Sequence, residues 1–369
     1  MQRETATAKR DFHIAPAMGL LAYCRPGFEG ECAQELTAIA AAREASGFAR
    51  AERGSGFVEY VFAGAEARGI DIAWQGLIFA RQLLRVVGRV EHMPREDRLA
   101  ALLPLIEATK LRWRDAWIEA PDSDAGRELA PLCRALNAAL ITALKRKNLL
   151  DAQSSMRLHV CLTAPEAALV AAADIAASAP WPGGIPRLKF PRAAPSRSTL
   201  KLEEAFLVLL DEDERARWLK AGMHAVDLGA APGGWTWQLA HRSIRTIAID
   251  NGPMDAALME SGVVEHRRVD GFRFQPPRAV DWLVCDMVEQ PRRIATLIAH
   301  WLGERWCRRA IFNLKLPMKK RYDEVQLCLD ILRDAVPGLD IRAKQLYHDR
   351  EEITVFAAAS EPGRGRDRS

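Results

Sequence analysis

The segment Asp227-Leu228-Gly229-Ala230-Ala231-Pro232-Gly233-Gly234-Trp235 constrains this chain more than any other. It continues a short apolar run, 226–228, that reads as a buried strand, and it leads into a helical stretch. Glycines at a strand-to-helix turn let the backbone approach a ligand closely, because no Cβ intervenes. A dinucleotide loop would read G-x-G-x-x-G and present a helix N-terminus to a pyrophosphate. That spacing is missing, which argues against a nicotinamide-dependent dehydrogenase, and Asp227 suits a cationic or zwitterionic ligand better than a diphosphate. Asp250 closes the next strand, where a carboxylate can accept from ribose hydroxyls; Asp270, one element on, could accept from an adenine amino group. Taken singly, each is equally a turn residue that closes a strand.

Around that loop the pattern is strand, helix, strand, helix. Apolar runs at 226–228, 246–249, 282–285 and 310–314 alternate with helical stretches, predicting an α/β, Rossmann-like domain with a mostly parallel sheet covered on both faces. A chain of 369 residues has room for a second domain. The Pro- and Gly-dense stretch Pro180-Trp181-Pro182-Gly183-Gly184-Ile185-Pro186 is the candidate linker. Before it the pattern is α+β: strands at 20–23, 56–62 and 83–90 with a helix at 29–42, then a strand at 116–119, a helix at 128–147 and strands at 158–162 and 169–172. The organisation predicted is a flexible N-terminus (1–15), two α+β pieces (16–95 and 96–180), a linker (181–190), the α/β domain (191–360) and a flexible, solvated tail (361–369).

Composition excludes several classes. Half of the residues are hydrophobic and 27% are charged, the balance of a globular chain. No apolar run is long enough to cross a bilayer, and the first residues lack a secretory h-region. The seven cysteines form no C-x-x-C pair and the eight histidines do not cluster, so neither a metal site nor a disulfide framework is expected. Reduced cysteines point to a cytoplasmic protein. A net charge of +4 says little about nucleic acid; where the basic residues fall says more.

The loop resembles the S-adenosylmethionine loop of FtsJ-like ribose methyltransferases, in which D-L-G-A-x-P-G-G-W recurs. Pro195-Ser196-Arg197-Ser198-Thr199-Leu200-Lys201-Leu202 resembles that family's helix before the first strand. Cys285-Asp286-Met287 is similar to its aspartate strand end, Asn313-Leu314-Lys315-Leu316-Pro317 to its lysine strand, and Glu351-Glu352-Ile353-Thr354-Val355 to its final glutamate strand. With Pro317-Met318-Lys319-Lys320-Arg321-Tyr322 added, the resemblance narrows to the RlmM family of bacterial 23S ribosomal RNA cytidine 2′-O-methyltransferases. It implies a class I S-adenosylmethionine-dependent domain and a Lys-Asp-Lys-Glu set, which falls here on Lys201, Asp286, Lys315 and Glu352. Glu351 is the near alternative to Glu352, set aside because Ile353-Thr354-Val355-Phe356 then matches the strand that follows. It further implies a cofactor site at Ser198, Ala231, Pro232, Gly233, Gly234, Asp250, Asp270 and Asp286, no metal, and S-adenosylhomocysteine as product.

These residue types suit the chemistry. Methyl transfer from a sulfonium is an in-line displacement, so the hydroxyl must be aligned and its proton removed. Lys315 is the candidate proton acceptor. An ordinary lysine pKa of about 10.4 keeps it charged, so that role needs desolvation or a neighbouring cation, which Lys201 could supply, whereas Asp286 favours the charged form. A charged Lys315 would instead hold the developing alkoxide. Amine methylation is disfavoured because the fourth strand reads Cys285-Asp286-Met287-Val288 and not N-P-P-Y or D-P-P-Y, and Cys285 reads as core, not as a nucleophile.

Basic residues bracket the proposed site: Arg187, Lys189, Arg192 and Arg197 before Lys201, then Lys319, Lys320 and Arg321 after Lys315. Arg292, Arg293, Arg305, Arg308 and Arg309 add to them. Such residues would neutralise phosphates of a ribosomal RNA partner without selecting sequence. Trp235 and Trp237 read as packing residues. The 96–180 piece looks like a THUMP RNA-binding domain and the 16–95 piece like the ferredoxin-like unit that precedes it; a packing or dimerisation role is the plainer alternative. The expectation is a monomer or weak oligomer, with a non-catalytic RNA-binding protein as the rival reading.

Overall fold

The computed structural model describes residues 18–64 and 72–359. The expected flexible ends, 1–15 and 361–369, lie outside the described residues. The described residues form two seven-stranded sheets.

The first sheet has the order β2-β3-β1-β4-β7-β6-β5. Its strands are β1 (Gly19–Tyr23), β2 (Gly47–Ala51), β3 (Phe57–Phe62), β4 (Gln82–Val90), β5 (Asp115–Glu119), β6 (Met156–Ala164) and β7 (Ala167–Asp174). Strands from both expected N-terminal pieces thus hydrogen-bond into one sheet, joined where β4 pairs with β7. Helices α1 (Glu29–Ala42), α2 (Arg98–Ala108) and α3 (Asp124–Arg146) pack on it. Helix α3 starts where the Ser123 hydroxyl accepts from the Gly126 N–H and ends with Lys145 and Arg146 near its negative pole, as an amphipathic surface helix should.

The second sheet is the α/β domain expected from the strand–helix rhythm. After α4 (Thr199–Leu209) and α5 (Glu212–Trp218) come β8 (His224–Leu228), α6 (Gly234–Ala240), β9 (Arg245–Ile249), α7 (Ala256–Glu260) and β10 (Val264–Arg267). The chain then returns through β11 (Val280–Cys285), α8 (Pro291–Gly303), β12 (Cys307–Lys315), α9 (Arg321–Ala335), β13 (Asp340–Lys344) and β14 (Glu352–Ala358). The order is β10-β9-β8-β11-β12-β14-β13. Strands β10 through β12 are parallel, and β14 runs antiparallel between β12 and β13. The chain leaves β8 in one direction and resumes at β11 in the other. That topological switch point opens a crevice at the carboxyl ends of the strands, where ligands of open α/β sheets bind.

The two halves are packed together through the end of β13 and the loop that follows it. Lys344, buried, donates to the carbonyls of Trp74 (2.6 Å), Leu77 and Ala80 (3.0 Å). The Gln345 N–H donates to the Ile78 carbonyl, and Arg81 donates to that of Leu346. The Pro/Gly-dense stretch is packed as well. Pro182–Gly184 makes a 3-10 turn, the Gly183 N–H donates to Glu119, and Gly184 is buried at φ +71°. A Cβ there would stand 2.1 Å from the Arg81 carbonyl oxygen, so only glycine fits.

Candidate active site

Four side chains distant in sequence meet at the crevice. Strand β12 ends on Lys315, whose register partner across the antiparallel pair is Glu352, the first residue of β14. Asp286 follows β11, the parallel neighbour of β12, and Lys201 lies in the first turn of α4. Lys315 Nζ is 3.0 Å from Asp286 Oδ1 and 3.6 Å from Glu352 Oε2. Lys201 Nζ is 2.5 Å from Glu352 Oε1 and 3.4 Å from Asp286 Oδ2. Two ammonium groups and two carboxylates therefore form a closed, neutral ring. Burial pulls the Lys201 ammonium down, but Asp286 and Glu352 outweigh it and the net displacement is upward. Side-chain exposure is 24% for Lys315 against 15% for Lys201 and 7% for Glu352, so Lys315 is the more open of the two lysines. Glu351, the near alternative, points outward and pairs with Arg321 at 2.6 Å.

The glycine loop lies beside this ring, between β8 and α6. Gly229 and Gly233 have φ of +76° and +117°, and a Cβ on Gly233 would stand 2.5 Å from Leu258 Cδ2 and 3.1 Å from Met254 Cε. Gly233→Ala is expected to cost about 1–3 kcal/mol through its backbone conformation alone, read as a lower midpoint in denaturant; an unchanged midpoint would contradict the loop geometry. Ser198, which shares a 2.6 Å hydrogen bond with Ser196, covers Gly234. The Asp250 carboxylate accepts from the N–H groups of Ala231 (3.0 Å) and Gly252 (2.7 Å), bracing Ala231 and Pro232. Asp270 is more open, accepting from the Phe272 N–H at 2.9 Å.

Asp227, at the root of the loop, is buried. One carboxylate oxygen accepts from the Thr236 hydroxyl at 2.6 Å, and the other has no partner. Burial pushes its carboxyl up to about 7, with the Thr236 hydroxyl pulling back. A carboxyl raised in the folded state stabilises fully below its unfolded value near 3.9 and loses that contribution as pH rises through about 7. Asp227→Asn should therefore gain on the unsubstituted protein between pH 5 and pH 8 in unfolding measurements without ligand. An equal difference at both pH values would sink the assignment.

The basic residues separate into two groups. Lys189, Arg192, Arg197, Lys319 and Lys320 are exposed. Arg187 is exposed, 3.4 Å from Asp122. Arg321, expected to face a partner, is instead half-buried, held over the Phe28 ring and bonded to Glu351 and the Gly27 carbonyl. Arg292 is bidentate to Glu324, Arg293 pairs with Glu289, and Arg309 is buried over Trp218. Trp235 is buried in the core, and Trp237 stacks on His241. Cys285 is buried and its thiol is pushed up to about 12 by desolvation, which leaves no nucleophilic thiolate. Among the described residues no group of His, Cys, Asp and Glu is placed to hold a metal, and no helix is long and apolar enough to cross a membrane.

Asn313, Thr354 and Asp349, a buried line behind Asp286, and the buried Lys344 were not expected from the sequence. A strand pattern with polar residues at inward positions, 313 and 354 in register, was the available signal.

Three family models match in series: the RlmM ferredoxin-like domain over residues 18–84, the N-terminal domain of ribosomal RNA large subunit methyltransferase M over 97–174, and FtsJ-like methyltransferase over 194–332. The ribosomal RNA large subunit methyltransferase M of Xanthomonas oryzae pv. oryzae (strain PXO99A) is 52% identical over 343 residues, 92% of this chain and 99% of that one. The protein of the same name from Xanthomonas axonopodis pv. citri (strain 306) is 51% identical with the same coverage. Among solved structures, TrmN from Thermus thermophilus aligns over 93% of this chain and 99% of that one, at 17% identity and a TM-score of 0.32. With half of its residues identical to those of full-length relatives, the chain belongs to the ribosomal RNA large subunit methyltransferase M family.

Proposed function

We propose that this protein methylates the ribose 2′-hydroxyl of a cytidine in 23S ribosomal RNA, using S-adenosylmethionine and releasing S-adenosylhomocysteine. The observation that carries the reading is the ring of Lys201, Asp286, Lys315 and Glu352 beside the glycine loop. The loop fits such a cofactor on its own terms. Asp227 keeps a buried carboxylate oxygen without a partner, as a cationic ligand nearby would favour, and Gly229 and Gly233 leave no room for side chains. Ser198, Ala231, Pro232, Gly233, Gly234, Asp250, Asp270 and Asp286 would hold it. When bound, it supplies an electrophilic methyl group on a sulfonium.

In its neutral form, Lys315 meets the substrate hydroxyl and takes its proton, becoming the ammonium, while Lys201 shares both carboxylates so that neither is committed to Lys315 alone. A second reading follows from the same contacts. Asp286 and Glu352 flanking Lys315 favour its ammonium form, which would hold the developing alkoxide while water removes the proton. The exposed Lys189, Arg192, Arg197, Lys319 and Lys320 supply phosphate contacts, and the N-terminal sheet, read as THUMP-like, supplies target choice. The protein is proposed to act in the cytoplasm as a monomer or weak oligomer.

The test incubates undermodified ribosomal RNA with methyl-labelled cofactor and digests it to nucleosides. Label on the cytidine sugar is the expected result. Label confined to a base defeats the ribose assignment, label on another RNA moves the substrate, and cofactor binding without turnover supports a non-catalytic RNA-binding protein.

A further inference from the structure

From Asp286 Oδ1, the oxygen that also accepts from Lys315, a line of buried polar groups runs back to the loop between β13 and β14. Asn313 Nδ2 donates to Asp286 Oδ1 at 2.8 Å. Asn313 Oδ1 is 2.8 Å from Thr354 Oγ1, which in turn is 3.1 and 3.0 Å from the two carboxyl oxygens of Asp349. Asn313, Thr354 and Asp349 are each 0% exposed, so the line must satisfy itself.

Counting protons fixes its direction. An ionised Asp286 only accepts, so the amide must turn its NH2 towards it and its oxygen towards Thr354. That oxygen also only accepts, so the single hydroxyl proton of Thr354 goes to Asn313. Thr354 can then only accept from Asp349, which must carry a proton. The Leu346 N–H donates to Asp349 Oδ2 at 3.0 Å, which leaves Oδ1, 3.1 Å from Thr354, as the protonated oxygen. The surroundings agree. Burial, then Glu352 on β14 and Glu204 on α4, push the Asp349 carboxyl well above the usual range, against the Leu346 N–H and the Lys201 ammonium. His348, the neighbouring ring on the loop, is engaged with Glu204 at 2.6 Å.

We propose that Asp349 is a positioning residue for methyl transfer: it donates through Thr354 and Asn313 to fix the Asp286 carboxylate in the orientation that holds Lys315 and Lys201. This rests on the reading of Asp286 and Lys315 as catalytic machinery. The line begins at Leu346, whose carbonyl accepts from Arg81 of the N-terminal half, so seating that half also seats the carboxylate.

Three full-length variants test it. Asparagine at 349 reproduces a neutral carboxyl, accepting from Leu346 and donating to Thr354. Asp349→Asn is therefore expected to keep kcat within about threefold, the spread of an intact hydrogen-bond line. Thr354→Val keeps the volume but cuts the line, and Asp349→Leu removes its origin. Both should lose roughly 10- to 100-fold in kcat, with cofactor Kd and RNA KM close to those of the unsubstituted protein. Should Asp349→Leu fail to fold, Thr354→Val carries the comparison. An Asp349→Asn variant as impaired as Thr354→Val, or a Thr354→Val variant with normal kcat, overturns the proposal. If the unsubstituted protein places no label on ribose, the reaction itself has been misread and the proposal falls with it.

Discussion

Lys315→Ala is expected to bind S-adenosylmethionine normally and to lose roughly 10²- to 10⁴-fold in kcat, the range for removing a positioned proton-transfer group. Normal binding is expected because Asp250 braces the glycine loop, and Asp286, the one proposed cofactor residue that Lys315 bonds, keeps its bonds to Asn313 and Lys201. The loss follows from the ring. Lys315 is the more open of its two cations, and without it Asp286 and Glu352 would face the proposed substrate hydroxyl with only Lys201 to balance them. A variant that turns over at near-normal rate removes Lys315 from the mechanism under either proton-transfer reading. A variant that loses cofactor affinity instead assigns Lys315 to the cofactor pocket. The two readings separate by pH: an accepting Lys315 predicts a rate that climbs until the amine is neutral, and an alkoxide-holding one predicts a rate that falls there.

Lys344→Met should lower stability by about 3–5 kcal/mol, the usual cost of removing one partner from a buried charged cluster. The unfolding midpoint would then drop by on the order of 10 °C for domains of this size. Burial pulls the Lys344 amine down to about 7, with Glu35 and Cys32 pulling the other way. Its geometry is nonetheless that of an ammonium. Three carbonyl acceptors, on Trp74, Leu77 and Ala80, match its three protons, and the Trp74 ring lies 4.7 Å away. Methionine fills the space and leaves all three carbonyls and Glu35 without the cation. A midpoint within about 2 °C of the unsubstituted protein would show that the lysine stem, not its charge, holds the segment.

The catalytic domain was legible because its chemistry sits where sequence patterns are sharp. The FtsJ-like resemblance picked out Lys201, Asp286, Lys315 and Glu352 because each lies in a motif beside an apolar strand or in a helix's first turn, and the fold brings the four together. Strands without that contrast were missed. Val264-Glu265-His266-Arg267 and Asp340-Ile341-Arg342-Ala343-Lys344 pair at sheet edges, where few inward residues are needed. Charge was the poorest guide. Arg321, Arg292 and Arg309 count as basic in a sequence but are engaged by Glu351, Glu324 and Trp218, partners that only the fold brings near. Lys344 failed for the converse reason, since nothing local distinguishes a buried lysine from a solvated one.

The loop from Gln345 to Glu351 faces two ways: one side meets the N-terminal half, and its end delivers Glu352 to the ring. Chimaeras that graft a foreign N-terminal half onto this catalytic half would need to supply carbonyls equivalent to those at 74, 77 and 80. A graft without them would leave the loop unmoored and the chemistry impaired, however well the new half folded. Modular in sequence, the enzyme is in this respect a single mechanical part.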